Sequence, residues 1–137
     1  MASDALKLWF SPVSWSDQIA ADLRSIAAHD ERDVSAFRRQ VEAGEMQAMD
    51  ILANGQRVGC LVWSLAHEPD GCDLVLNAVA ARPVEGVSLA REVLWRWRAM
   101  ARGLGARRLR CWTQRPGLVR ILQQEGGIAS YVVELEA

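Results

Sequence analysis

Residues 76–95 read LNAVAARPVEGVSLAREVLW. The stretch opens as an apolar run of the kind that fills a buried strand. Arg82-Pro83 interrupts it, Gly86 and Ser88 follow, and from Ser88 onward apolar residues recur at helical spacing. A strand, a glycine-bearing loop and a helix in that order bring free backbone N–H groups and the positive end of a helix dipole to one point. Such a point suits an anion, above all a phosphate. The same order also serves as a plain corner between two elements.

Working outward, the helix over 88–103 is amphipathic. Leu89, Val93, Trp97, Met100 and Leu104 form its apolar stripe, and Arg91, Trp95, Arg98 and Arg102 the opposite one. Gly103 and Gly105 end it. A strand follows over 108–113, where Leu109 and Cys111 alternate with Arg108, Arg110 and Trp112. Pro116 opens a further helix, which Leu118, Ile121 and Leu122 carry to Gly126-Gly127. A last strand spans 129–135, with Tyr131 as a packing residue. Upstream, strands over 48–53, 56–65 and 72–80 are joined by Asn54-Gly55 and Pro69-Asp70-Gly71, an antiparallel meander. Val58, Cys60, Val62 and Leu65 turn to one side of it. Before the meander come a helix over 16–28, capped from Ser14-Trp-Ser-Asp17, and a second marked by Val34, Phe37 and Val41. Residues 29–33 read as a polar break. The expected order is α-α-β-β-β-α-β-α-β: one α/β domain over 1–137, its mixed, mostly antiparallel sheet carrying a βαβ unit.

Half of the 137 residues are hydrophobic and 24% are charged, the balance of a globular chain rather than a disordered one. The net charge of −1 gives no gross attraction to nucleic acid or membrane. Its distribution is uneven: residues 82–120 hold ten arginines against Glu85 and Glu92. That segment either faces a polyanion or is a solvated arginine face. Trp95 within it reads as a contact hot spot, a stacking platform, or a ring lying under arginine stems. Cys60, Cys72 and Cys111 form no C-x-x-C pair, so reduced thiols and a cytoplasmic location are expected. No signal peptide and no membrane-spanning run is read from the sequence. Cysteines and histidines lack ligand spacing, so no metal is expected.

The order of elements resembles that of the GNAT superfamily of acyl-CoA-dependent N-acyltransferases. Two stretches add to the likeness: DLVLNAVAARP at 73–83 and RPGLVRILQQEGGI at 115–128. The resemblance implies acetyl-CoA or CoA as co-substrate and an amine of a small molecule or a protein as acceptor. It implies that the strand at 72–80 splays from the next one, so that backbone groups of Val79 and Ala81 pair with the pantetheine arm. The family's pyrophosphate loop, Gln/Arg-x-x-Gly-x-Gly/Ala, falls on residues 83–88. Gly86 matches, and Ser88 replaces the second small residue. Amides of Val87, Ser88 and Leu89 are the expected donors. Pro83 and Glu85 depart from the pattern: one has no N–H, the other faces a phosphate with like charge.

For chemistry, the resemblance puts Asp73 in place of a general-base glutamate, with a raised pKa; the plainer reading is a turn residue. Asn77 is a candidate to orient a carbonyl. The family's acid, a tyrosine on the late helix, is replaced by Gln123. His67 is either a base or a solvent-facing histidine, and His29 has less to recommend it. Two other readings stand beside the enzyme. One is a catalytically inactive GNAT-fold binding or structural protein, similar to short phage and prophage products, some of them virion-associated. The other is nucleic-acid contact through the basic helix. The expected last strand presents an edge, which predicts a homodimer.

Overall fold

The computed structural model describes residues 7–111, 116–128 and 135. Five strands and four helices appear there: β1 (Leu8–Val13), α1 (Asp17–Ser25), α2 (Glu31–Glu42), β2 (Gln47–Ala53), β3 (Gln56–Glu68), β4 (Gly71–Ala81), α3 (Leu89–Gly103), β5 (Arg108–Cys111) and α4 (Pro116–Gln124). The strands form one sheet in the order β1-β2-β3-β4-β5. The first four are antiparallel, and β5 joins β4 in parallel. The expected mixed, mostly antiparallel α/β fold is therefore observed. The expected strand over 129–135, Tyr131 and the dimer edge lie outside the described residues, Leu135 excepted.

The sheet separates two cores. On one face α3 packs through Leu89, Val93, Leu94, Trp97 and Ala101 onto Leu8, Phe10, Ile51, Leu61, Leu74 and Leu76. On the other face Ile19, Leu23 and Val34 of α1 and α2 cover Ala48, Cys60, Val62, Ala78 and Ala80. Burying a leucine- or isoleucine-sized side chain contributes about 2 kcal/mol, so both faces are needed to hold the sheet.

Several local expectations change. β1 was not expected. Leu8 and Phe10 point inward and Trp9 outward, which is a strand alternation. The outward residue is a tryptophan, 61% exposed, and Pro12 sits where only an edge strand tolerates it. Arg96 of α3 lies over the Trp9 ring, 5.8 Å from its centroid. α1 ends at Ser25, earlier than expected, and Ala28 adopts φ +58 beyond it. The supposed polar break begins α2: Asp30 accepts from the Asp33 amide at 2.8 Å and caps the helix. A bulge opposite Ile51/Leu52 shifts the phase of β3, so Val58 packs on the α3 face while Cys60 and Val62 face α1. Leu104, expected in the stripe of α3, lies past the end of that helix and is exposed.

Candidate functional site

The site begins with a fault in a strand. β4 pairs with β3 throughout, but the register skips Asn77: Val62 faces Ala78 and Trp63 faces Leu76. Asn77 is thus an extra residue, and it reverses the alternation of everything after it. Two hydrogen bonds mark the phase on each side. Before the bulge, the Cys72 carbonyl points toward β5, where it accepts from the Arg107 amide at 2.8 Å. Backbone direction alternates along a strand, so Leu74 and Leu76 also face β5. After the bulge, the Arg82 amide donates to the Val58 carbonyl of β3 at 2.7 Å. Residues 78 and 80 share that direction, and Val79 and Ala81 face the other way.

Parallel pairing with β5 runs from Asp73↔Arg108 to Leu76↔Cys111. Among the described residues nothing pairs with the outer edge of β4 beyond that point. The N–H and C=O groups of Val79 and Ala81 therefore point to an edge that has no partner among the described residues. Close approach to β3 holds that half in place. A Cβ at Gly59 would stand 1.9 Å from the Ala80 carbonyl oxygen and 2.6 Å from the Ala81 Cα, so only glycine fits there.

The loop over 82–88 then turns back. The Val87 amide donates to the Val84 carbonyl at 3.2 Å, and Gly86 takes φ +74 in this turn. That bond removes Val87 from the expected donors, because its N–H closes the turn. Ser88 is the N-cap of α3, and its hydroxyl caps no amide. The Ser88 and Leu89 amides make no backbone hydrogen bond among the described residues. Both belong to the helix start, where the macrodipole is positive.

The other half of β4 is closed. Asp73 is completely buried and accepts from Arg107 Nε at 3.0 Å, Arg108 Nε at 2.9 Å and Arg110 Nη1 at 3.4 Å. Arg107 also pairs with Asp70. Desolvation alone would push the Asp73 carboxyl up. Hydrogen bonds and charge from Arg108 and Arg107 more than reverse this and hold it below its ordinary range. The raised pKa expected of a general base is therefore not found: Asp73 is an ionised hub that ties β4 to β5.

Asn77 is also engaged, since its Nδ2 donates to Ser64 Oγ at 2.9 Å. His67 is exposed at the far end of β3, opposite Cys72. His29 stacks edge-on against Phe37 and lies 3.5 Å from Asp33, a staple at the start of α2. Gln123 is exposed on α4. Arg91 and Arg98, expected as a free face with Trp95, reach Glu125 at the end of α4 at 3.4 Å each. Trp95 remains 49% exposed. The groove of about 430 Å³ between α3, β5 and α4 is lined by Arg98, Arg102, Arg107 and Arg108 over Leu94 and Leu109. It takes no residue of the open half of β4. Among the described residues no cluster of His, Cys, Asp and Glu could hold a metal, and no helix is long and apolar enough to cross a membrane.

One group was not anticipated from the sequence. Asp22 of α1, 2% exposed, accepts from Arg57 Nη1 at 2.6 Å and from Arg82 Nη2 at 3.3 Å. Arg57 Nε also donates to Asp50 at 2.9 Å. Arg57 and Arg82 lie 35 and 60 positions from Asp22 in the chain, and no periodicity connects them. The sole signal was an aspartate next to Leu23 on the apolar side of α1.

No family model matches the chain, and no curated protein matches it by sequence. Solved structures do match in shape. The ribosomal-protein-alanine N-acetyltransferase of Brucella melitensis superposes with a TM-score of 0.68 at 15% identity, covering 96% of this chain and 100% of that one. An aminoglycoside N-acetyltransferase in complex with CoA gives 0.65 at 12%, covering 100% and 98%. A transcriptional regulator from Bacillus halodurans gives 0.65 at 14%, covering 94% and 99%. The chain has the GNAT fold, the architecture of these N-acetyltransferases.

Proposed function

We propose that the protein is an acyl-CoA-dependent N-acyltransferase that binds acetyl-CoA along the open half of β4. The observation that carries the reading is the bulge at Asn77, which turns the main chain of Val79 and Ala81 to an edge without a strand partner among the described residues. The pantetheine arm, with its two amides, pairs there as a strand would. The Gly86 turn and the Ser88 and Leu89 amides, which have no backbone partner among the described residues, receive the pyrophosphate. The co-substrate supplies a thioester, whose carbonyl an amine attacks: the C–N bond of an amide forms, the C–S bond breaks, and CoA leaves as its thiol, the proton coming from the amine by way of solvent. The chain's part is to hold that carbonyl and the amine together, the largest contribution positioning can make.

A second reading is a cofactor-binding protein without turnover. Asp73, locked by arginines, and Gln123, which cannot act as an acid, favour it. A phage or virion role would belong to this second reading. The acceptor is an amine of a small molecule or of a protein.

Thermal unfolding with acetyl-CoA tests the proposal. At a hundredfold excess over Kd the ligand stabilises the fold by about 2.7 kcal/mol, a rise of several degrees in Tm. An unchanged Tm at millimolar acetyl-CoA would end the reading. A raised Tm with no thiol release over a panel of amines would leave only the binding protein.

A further inference from the structure

We infer that the groove between α3, β5 and α4 is a second ligand site, which takes a small carboxylate with an aliphatic body and holds its head group with Arg98 and Arg102. The inference does not depend on the acetyl-CoA reading, because the groove shares no residue with the open half of β4 or with the loop over 82–88. Arg98 and Arg102 stand nine and thirteen residues along α3 from Leu89, about 14 and 20 Å at the rise of an α-helix.

The floor of the groove is aliphatic. Leu94 and Ala101 of α3, Leu109 of β5 and Leu122 of α4 line it, and no aromatic ring does. A hydrocarbon tail gains contact there, whereas a base or other flat ring gains no stacking partner. The volume of about 430 Å³ falls in the range of small-molecule sites. Two glycines end α4 at the mouth and put no side chain across it. Gly126 takes φ +90, and a Cβ at Gly127 would stand 2.7 Å from the Leu122 carbonyl oxygen.

The charges of the groove do not balance. Glu125 is the one carboxylate among its lining residues, and Arg91 and Arg98 divide it, each at 3.4 Å. Such long contacts between partly exposed groups hold an arginine weakly. Arg102 is exposed, and no hydrogen bond or ion pair holds its side chain among the described residues. A cation in the last turn of a helix complements a dipole worth a fraction of a full charge, so the helix answers Arg102 only in part. Arg107 and Arg108 also line the groove, but Asp73 ties both. Arg98 and Arg102 are four apart on α3 and share a face. Two guanidinium groups one turn apart above a leucine floor suit a carboxylate whose tail lies beneath them.

Calorimetric titration of the full chain with octanoate tests this, with 1-octanol lacking the charge and acetate lacking the tail. Octanoate should bind about tenfold more tightly than either. Arg102→Ala, which removes no partner from the folded chain, should weaken octanoate about tenfold, and Arg102→Lys should recover part of the loss. In amide NMR spectra octanoate should shift resonances of residues 94–109 and 122–127 and leave those of 79–89 in place. Thermal melts establish that each variant is folded, and Arg102→Ala alone decides the matter if an Arg98→Ala, Arg102→Ala double variant does not fold. The inference is overturned if octanoate does not bind at millimolar concentration, if octanol or acetate binds as well, or if Arg102→Ala binds octanoate as the wild type does. Shifts confined to 79–89 would overturn the location, and a glutamate-rich peptide that binds more tightly than octanoate would overturn the aliphatic occupant.

Discussion

Residues 72–76 and 78–81 belong to one strand, yet they are built for opposite purposes. The first half has a partner on each side, buries Leu74 completely and locks its Asp73 carboxylate among three arginines. The second half has β3 on one side, an unpartnered edge on the other among the described residues, and small side chains, Ala78 and Ala80, against α1. A single extra residue, Asn77, divides them. The difference teaches that an exposed main-chain edge need not be a separate loop. Rigid pairing in one half aims the main chain of the other, and the bulge sets which groups face outward.

The sharpest way to break this contrast is at Gly59, where the open half rests on β3. Gly59→Ala places a methyl inside the Ala80 carbonyl and should destabilise the fold by about 4 kcal/mol, read by urea unfolding. In the closed half, Leu74→Ala leaves a cavity and should lose about 3 kcal/mol in the same assay, with acetyl-CoA affinity retained in the protein that remains folded.

Asp73→Asn sharpens the contrast by pH. A carboxyl held below its ordinary value stabilises the native state above about pH 4, where the unfolded carboxylate is ionised, and stops doing so as pH falls through its lower folded value. The variant should melt below wild type at neutral pH, and the two melting curves should converge as pH drops below about 4. At the junction, Asn77→Ala removes the bond to Ser64 and should cost about 1 kcal/mol while the bulge persists. Least of all, Glu85→Gln removes a like charge from the exposed loop and should tighten acetyl-CoA about twofold without moving Tm.

Much of this was legible before the structure. The Asn54-Gly55 turn, with φ of +51 and +82, is where its residue types put it. The meander, the amphipathic α3 and the Gly86 turn followed from periodicity and from glycine's freedom at positive φ. The candidate site was only half legible. Its loop residues carried a motif-like spacing, but no signal marked Asn77 as a bulge, since an asparagine in an apolar run is equally an outward residue. Nothing local distinguished the occupied Val87 amide from the free Ser88 and Leu89 amides either.

Local chemistry along the chain thus settled the kinds of element, most of their order and the place of the Gly86 turn. Those properties depend on neighbours within one turn or one hairpin. Packing settled the rest: the edge strand β1, the phase of β3 and β4, the locking of Asp73 by Arg107 and Arg108, and the joining of Asp22 to Arg57 and Arg82. Each of these is a contact between residues far apart in the chain. Periodicity tells which face of an element is apolar, but it does not carry the identity of the partner that face or that charge will meet.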